Sequence, residues 1–174
     1  MAMKYKIRRF VGAAILTAGI VAATGARAGA WVVDTESGCQ VWDPNPQLEE
    51  TVAWSGSCVR GRAEGPGTVQ WLKGNVAIET NTGRWRDGRQ AGTGVQTWAA
   101  GRYDGELMDG APNGRGVLTL KSLRYDGEFR DGKPNGTGSL TAAGTQTLQG
   151  LWKDGCLQGG ERKASIGIPL SACR

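Results

Sequence analysis

The chain contains no histidine among its 174 residues. Histidine is the commonest general base and metal ligand near neutral pH, so its absence excludes serine or cysteine triads and imidazole-based zinc sites. Cysteine is scarce, with four residues spaced too widely for a CxxC pair. No glycine string precedes a helical pattern, which excludes a phosphate-binding loop. These absences predict a protein that is not an enzyme and that holds no cofactor or metal.

The chain also lacks a basic surplus once its first residues are set aside. It has 21 Lys and Arg residues against 16 Asp and Glu residues. Five of the cations precede Gly29, where there is no acid, so the rest of the chain carries 16 cations and 16 anions. Nucleic-acid binding requires cations that neutralise phosphates, and anionic lipid surfaces attract basic clusters. Nucleic acid is therefore not an expected partner, and lipid is a weak candidate.

A long hydrophobic run is absent as well. Residues 4–9 are cationic, and the apolar stretch from Phe10 to about Gly25 is short for a membrane span. Small residues then allow cleavage after Ala28 or after Ala30. We expect residues 1–28 to be a cleaved signal peptide, with an uncleaved anchor as the alternative. The mature protein is then periplasmic or secreted.

Glycine is abundant, with 29 residues, and it recurs in register. The segment that begins at Tyr103 recurs at Tyr125, an offset of 22 residues. Further copies begin near Trp54 and Asn81, and an incomplete fifth copy begins near Leu148. The four glycines of one complete copy are Gly105, Gly110, Gly114 and Gly116, and those of the next are Gly127, Gly132, Gly136 and Gly138. A period of this length is typical of a stacked array of small units.

Each unit has a period of two, which indicates β-strands. Asp109-Gly110 and Pro112-Asn113-Gly114 separate the two strands of a unit and are typical turn residues. Each unit is therefore predicted to be a β-hairpin. The expected fold is all-β, an elongated single-layer antiparallel sheet of tandem hairpins. Glycines on the inward face predict aromatic rings that pack flat over bare backbone.

The register predicts three inward columns. The first contains Trp54, Asn81, Tyr103, Tyr125 and Leu148; the second Cys58, Trp85, Leu107, Phe129 and Trp152; the third Trp71, Trp98, Leu120 and Ala142. We expect the rings to form the core, because a single hairpin cannot bury its own face. The alternative is that they form aromatic platforms for a ligand. Asn81 interrupts the first column and marks a five-residue insertion between the first and second units.

The pattern Tyr-x-Gly-x-(apolar)-x-x-Gly-x-x-x-Gly-x-Gly resembles the MORN (membrane occupation and recognition nexus) repeat over residues 54–160. The resemblance implies a twisted sheet of hairpins that serves as an interaction module, and the family name attaches lipid binding to it. Residues 38–46 and 50–58 resemble the opening of exported bacterial proteins of this repeat family. The insertion between residues 67 and 83, Asn81 and the incomplete last unit depart from the pattern.

Four cysteines in an exported chain indicate disulfides, and four cysteines allow three pairings. We favour Cys39–Cys58 and Cys156–Cys173, because each pair closes a short loop at one end of the array. If residues 38–42 form a degenerate strand of the array, however, Cys39 faces away from Cys58. The predicted organisation is an N-terminal cap (29–53), the repeat array (54–160) and a C-terminal tail held by a disulfide (161–174).

Four carboxylates repeat on the outward face, namely Asp104, Glu106, Asp126 and Glu128. Equivalent residues should lie two strands, or about 10 Å, apart. This separation resembles that of inverting glycosidases, but nothing on an open face would raise one pKa. We expect the four to be solvated, to pair with cations such as Arg115, Arg124 and Arg130, and to form a candidate interaction face.

The leading functional hypothesis is an exported, non-catalytic scaffold that binds a protein partner in the bacterial envelope. One alternative is a cell-wall or polysaccharide-binding module, in which exposed Trp71 and Trp98 would stack on sugars. Another is binding to a membrane surface, which the neutral charge disfavours. The sequence identifies neither the partner nor the oligomeric state.

Overall fold

The computed structural model describes residues 29–159 and 163–173. The predicted signal peptide, residues 1–28, lies outside the described residues. The strands are β1 (Ala30–Val33), β2 (Gln40–Asp43), β3 (Glu50–Val59), β4 (Arg62–Lys73), β5 (Val76–Arg86), β6 (Arg89–Trp98), β7 (Gly101–Met108), β8 (Ala111–Leu120), β9 (Leu123–Arg130), β10 (Lys133–Ala142), β11 (Leu148–Lys153) and β12 (Cys156–Leu157), followed by a 3-10 helix (Leu170–Ala172). In this described part of the chain, no helix is long and apolar enough to cross a membrane.

From β3 to β12 every strand pairs antiparallel with the next one along the chain. The predicted all-β fold, an open sheet of consecutive hairpins, is confirmed. The first hairpin begins at Glu50, within the segment assigned to the cap. The insertion between the first and second units forms no separate loop. It lengthens β4 and β5, which have 12 and 11 residues.

Five two-residue turns lie along one side of the sheet, Arg60-Gly61, Asp87-Gly88, Asp109-Gly110, Asp131-Gly132 and Asp154-Gly155. Both residues of every turn have positive φ, 49–52° at the first position and 73–88° at the glycine. This is the type I′ geometry, which matches the twist of the flanking strands. Each later turn also donates its glycine N–H to a carbonyl just beyond the preceding turn, as from Gly110 to Gln90 at 2.9 Å. The turns therefore fasten successive hairpins together.

The glycine register follows from how the rings pack. The Tyr103 hydroxyl donates to the Glu106 carbonyl at 2.7 Å, and the Tyr125 hydroxyl donates to the Glu128 carbonyl at 3.2 Å. Each ring thus lies along its own strand. There it covers the glycine two residues further on and the glycine paired with it, as Tyr125 covers Gly127 and Gly138. A side chain at either glycine would overlap the ring.

The inward face forms two buried clusters, one around Trp54 and Trp85 and one from Tyr103 to Trp152. All of the repeat-core residues are buried: Trp54, Trp85, Tyr103, Leu107, Tyr125, Phe129 and Trp152. In the second cluster the ring of Tyr125 contacts those of Phe129 and Trp152 edge-on, with centroids 5.1 Å apart in each case.

Cys58 departs from the predicted inward columns. It is exposed, because β3 is an outer strand of the ladder and no further hairpin covers it. Its sulfur is bonded to that of Cys39, which is fully buried.

Two disulfides join Cys39 to Cys58 and Cys156 to Cys173, with Cα–Cα distances of 5.7 and 5.6 Å. This is the pairing that the sequence favoured. The expected conflict in facing does not arise, because β2 is not an antiparallel strand of the ladder: it pairs with β1 and meets β4 in parallel at a single residue pair, Gln40 with Arg62. The hairpin β1–β2 lies across two turns, where Gln40 and Trp42 donate their N–H groups to the carbonyls of Gly61 and Gly88.

Both ends of the array are covered. Burial acts to raise the pKa of Asp34, but hydrogen bonds from the Ser37 hydroxyl and from backbone N–H groups, including that of Trp54, hold it below its usual value. Asp34 thereby covers a backbone donor of the outer strand β3, which would otherwise be open to pairing with another chain. At the other end Ile166 is fully buried and donates its N–H to the Gly155 carbonyl.

Candidate interaction face

The outward face of the sheet is polar and regular. Register pairs place one residue of each strand from β3 to β11 in a row that crosses the sheet, and we call this the outward row. It consists of Ser55, Thr68, Thr82, Val95, Asp104, Val117, Asp126, Ser139 and Gln149. Only Val95 and Val117 are apolar. The face resembles the solvated side of an antiparallel sheet.

Asp104 and Asp126 lie two strands apart in the outward row, as predicted, with Val117 between them. Asp104 pairs with Arg102 at 2.6 Å and Asp126 pairs with Arg124 at 2.8 Å, and about half of each side chain remains exposed. Exposed pairs of this kind contribute little to stability. Arg124 was the expected partner, whereas Arg102 was not foreseen.

Glu106 and Glu128 have a structural function that the sequence did not reveal. Both lie opposite a β-bulge in the neighbouring strand, where a backbone N–H has no ladder partner. Glu106 accepts the N–H of Arg115 at 3.0 Å, and Glu128 accepts the N–H of Thr137 at 2.6 Å. This backbone hydrogen bond, then the bond from the Thr137 hydroxyl and the charge of Arg115, hold the pKa of Glu128 below its usual value.

The expected pairing with Arg130 is wrong. Arg130 lies 3.7 Å from Asp154, a turn residue of the following hairpin. The four predicted carboxylates therefore divide into two kinds. Glu106 and Glu128 stabilise the bulges of the sheet, while Asp104 and Asp126 remain available to a partner.

A groove of about 570 Å³ crosses the outward face near its C-terminal end. Its floor is the backbone of Gly127, Gly138 and Gly150, where no side chain rises from the sheet. Its walls are Arg115, Asp126, Thr137, Ser139, Gln149 and Leu151. Leu151 is 58% exposed, so an apolar side chain lies open beside an arginine and a carboxylate. This mixture suits a protein surface, because interfaces combine apolar contact with hydrogen bonds.

The inward tyrosines do not offer acid–base chemistry. Burial, followed by the charges of Glu128 and Asp126, raises the pKa of Tyr125 to about 12. Burial likewise raises the pKa of Tyr103, with Glu106 as the next cause. Both hydroxyls therefore stay protonated and act as hydrogen-bond donors. Among the described residues, no group of three or more His, Cys, Asp or Glu side chains could hold a metal ion.

The predicted tryptophan platform is not open. Trp71 is 1% exposed and packs in the N-terminal cluster, so it cannot stack on a polysaccharide. Trp98 is half-buried and packs against the other cluster. The burial of these rings removes the support for a polysaccharide-binding module in which Trp71 and Trp98 stack on sugars.

Sequence reasoning also missed a buried polar group on the inward face. The sequence indicates only that Asn81 marks an insertion, whereas the structure places it with three other polar residues, the buried Glu79 and Gln90 and the partly buried Gln96. Reading every inward column, and not only the aromatic ones, would have revealed it. The corresponding positions around Tyr103 are Gly101, Pro112 and Leu118, and none carries a polar side chain.

Three consecutive segments of the chain, residues 82–101, 103–122 and 125–144, match the MORN repeat family model. Each segment contains one Asp-Gly turn with all or part of the strand on either side of it. The first hairpin and the incomplete last unit lie outside these segments. No curated protein matches the chain.

Proposed function

We propose that this MORN repeat protein is an exported, non-catalytic scaffold that binds a protein partner through its outward face. MORN repeats generally serve in protein or membrane interaction. The observation that carries the proposal is that the two faces of the sheet differ in how much they stabilise the array. The inward face and the turns hold the array together, whereas the groove and the outward row stabilise little within it.

Rigidity supports the same proposal. The turns are hydrogen-bonded to one another and both ends of the array are tied by disulfides. A surface that is already ordered loses little conformational entropy when a partner binds. The outward face can therefore bind with a modest contact area.

Export is supported by the two disulfides, because disulfides persist in oxidising compartments such as the periplasm. The fold also favours one of the two cleavage sites. A side chain at Gly29 would overlap the ring of Trp42, and Ala30 pairs with Asp43 in the first hairpin. We therefore expect cleavage after Ala28. N-terminal sequencing of the exported protein should read Gly-Ala-Trp, and a start at Trp31 would contradict this expectation.

Site-specific photo-crosslinking in the native envelope tests the binding face. A photoreactive amino acid would replace Ser139 or Gln149 in the groove, and Val33 or Leu48 of the N-terminal cap as exposed control positions. We expect the groove positions to capture one protein in stoichiometric amount, and the control positions to capture none.

The charge variant Asp126→Lys should abolish capture at Gln149, because it reverses the charge of one groove wall. Arg84→Glu, a charge reversal on the outward side of β5 and outside the groove, is the matched control. Equal capture at groove and control positions would sink the proposal. So would flotation of the protein with anionic vesicles in the absence of any captured protein.

A further inference from the structure

The last hairpin of the array has one long strand and one very short one. Its first strand, β11, spans Leu148–Lys153, but its second strand, β12, consists of Cys156–Leu157 alone. β12 pairs with the end of β11 nearest the turn, and the N–H of Gln158 then reaches the Leu151 carbonyl at 2.8 Å. Among the described residues, none continues this pairing to Gln149. Part of the outer edge of β11 is therefore open.

The preceding hairpin shows what a complete unit has at this place. There β10 continues beyond its bulge, and residues 138–142 pair with residues 123–127 of β9. The equivalents of the latter in the last hairpin are residues 146–150. The chain does not run along them, because Leu157 donates its N–H to the Ala164 carbonyl and the chain has reversed direction by that point. The tail thus covers the last hairpin near its turn and leaves the far end of β11 uncovered by the described residues.

Alternation along β11 determines which backbone groups face the open edge. Successive residues of an antiparallel strand direct their N–H and C=O groups to opposite sides. The carbonyl of Leu151 faces the edge, since it accepts from Gln158, so both backbone groups of Gln149 face it as well. In the preceding hairpin the same position is Asp126, which pairs with Ser139 of the next strand. No described residue takes that place beside Gln149.

The inward core also stops at this edge. Register pairs join one row of inward side chains across the last hairpins, Tyr103, Leu118, Tyr125, Leu140 and Leu148. The first four are buried, whereas Leu148 is only partly buried and packs against the C-terminal cluster. An apolar side chain in a further strand would continue the row and cover Leu148.

The residues beside Leu148 limit what a further strand can carry. A side chain at Gly150 would lie 2.8 Å from Cδ1 of Leu157, so Leu157 takes the place over the backbone that a ring takes in earlier units. This crowding favours a small residue opposite Gly150. On the outward face, Leu151 is 58% exposed and forms a wall of the groove. A protein bound in the groove therefore lies next to the open edge.

The edge at the other end of the array is less accessible. There the carboxylate of Asp34 accepts the N–H of Trp54, which faces outward from β3. The disulfide between Cys39 and Cys58 holds the N-terminal cap to the same strand. A strand added to β3 would have to displace the cap, whereas one added to β11 displaces no described residue.

We propose that the protein partner supplies an extended segment that adds to β11 as the missing strand of the last hairpin. This inference rests on the proposed binding through the outward face and specifies the kind of partner. The segment pairs with both backbone groups of Gln149, and it places an apolar residue opposite Leu148 and a small one opposite Gly150. Backbone hydrogen bonds give such strand addition its affinity, and alternate side chains give it specificity.

The test supplies the missing strand from the protein's own sequence. Residues 137–142, Thr-Gly-Ser-Leu-Thr-Ala, would be appended to the end of the full chain through a flexible linker of about 15 Gly and Ser residues, which spans about 20 Å. The linker is long enough, because the tail is tied to Cys156, and Gln149 lies about 14 Å along β11 from the residue opposite Cys156. Hydrogen exchange measured by NMR then reports on the Gln149 amide. We expect exchange about tenfold slower than in the protein without the appended strand, because the N–H becomes hydrogen-bonded.

Two matched appended strands test the specificity. One has aspartate in place of leucine and loses the apolar contact with Leu148. The other has proline in place of serine and lacks the N–H that would bond the Gln149 carbonyl. Both should leave the Gln149 amide exchanging as in the original protein. Equal exchange rates with all three appended strands, whether slow or fast, would overturn the proposal. Protection of the Val52 amide in β3 without protection of Gln149 would place the strand at the opposite edge and overturn it too.

The partner itself gives the second test. With the protein captured at Ser139, the variants Gln149→Pro and Gln149→Ala are compared. Both remove the glutamine side chain, but only proline removes the N–H that faces the edge, a position where a strand tolerates proline. We expect binding to Gln149→Pro to be about tenfold weaker than to Gln149→Ala, the effect of one lost hydrogen bond. Urea titration shows whether both variants are folded.

The outcomes separate this inference from the proposed function. Equal affinities of the two folded variants would mean that the partner occupies the groove without adding a strand. That result overturns the strand addition and leaves the outward-face proposal standing. A lack of capture at Ser139 refutes the outward-face proposal, and with it the partner strand.

Discussion

Gly138→Ala should destabilise the protein because the Tyr125 ring occupies the space of the new methyl group. The added Cβ would lie 2.7 Å from Cε2 of Tyr125, whereas carbon atoms in good contact are about 3.5–4.0 Å apart. Tyr125 is fully buried and cannot move aside freely, since Phe129 and Trp152 pack against it.

The magnitude follows from two contributions. Overpacking a tight core costs about 1–3 kcal/mol. Displacing the ring also breaks the hydrogen bond from its hydroxyl to the Glu128 carbonyl, which contributes about 1 kcal/mol. We therefore expect Gly138→Ala to lower the free energy of unfolding by about 3 kcal/mol in urea titrations of the oxidised protein.

Two comparisons separate ring overlap from other effects. Gly144 has a φ of +72°, and no atom lies within 4 Å of the place that an added methyl group would occupy. Gly144→Ala therefore tests backbone strain alone and should cost about 1 kcal/mol. Tyr125→Ala should cost about 4 kcal/mol by itself. In that background Gly138→Ala should cost almost nothing. If it costs the same with and without the ring, the explanation of the glycine register is refuted.

Three further predictions concern the buried polar group around Asn81, the disulfides and the bulges. Asn81→Tyr alone should destabilise the protein by about 2 kcal/mol, because the Gln90 amide lies over Gly83 and Gly94, where the new ring would pack. Asn81→Tyr combined with Gln90→Pro should restore or exceed the original stability in the same urea assay. Replacing Cys156 and Cys173 by serine should lower the free energy of unfolding by about 3 kcal/mol, and an unchanged value would show that this disulfide does not stabilise the fold. The depressed pKa of Glu128 stabilises the fold above the unfolded-state value near 4.5, and this contribution is lost as the pH falls through the folded pKa. Glu128→Gln should therefore show a smaller loss of stability between pH 6 and pH 3, and an unaltered pH profile would contradict the assignment.

The repeat architecture could be predicted because its cause is local. A ring at Tyr103 or Tyr125 requires glycine at fixed positions on its own strand and on the next. The spacing of tyrosine and glycine along the chain therefore indicates how the rings pack. The Asp-Gly turns also follow from short-range conformational preferences. These constraints repeat, and each copy reinforces the interpretation of the others.

Features that depend on contacts between distant segments could not be predicted in the same way. The cap hairpin lies across the turns at Gly61 and Gly88, and nothing in its own sequence indicates this position. The outward spacing of Glu106 and Glu128 indicated a solvated row, but only the bulges show which backbone groups they serve.

The buried polar group around Asn81 could not be predicted for a related reason. Its four residues are separated along the chain and meet only through the register of β5 and β6. A single polar residue in an aromatic column, Asn81, was the one visible sign.

The most direct test of the outward-face proposal is the dissociation constant of the purified protein with the partner captured at the groove. Ser139→Arg places a large charged side chain in the groove, and Leu48→Arg makes the same change at an exposed control position. We predict about thirtyfold weaker binding for Ser139→Arg, the effect of one important contact at an interface, and an unchanged constant for Leu48→Arg. Equal affinities of the two variants would contradict binding through the outward face.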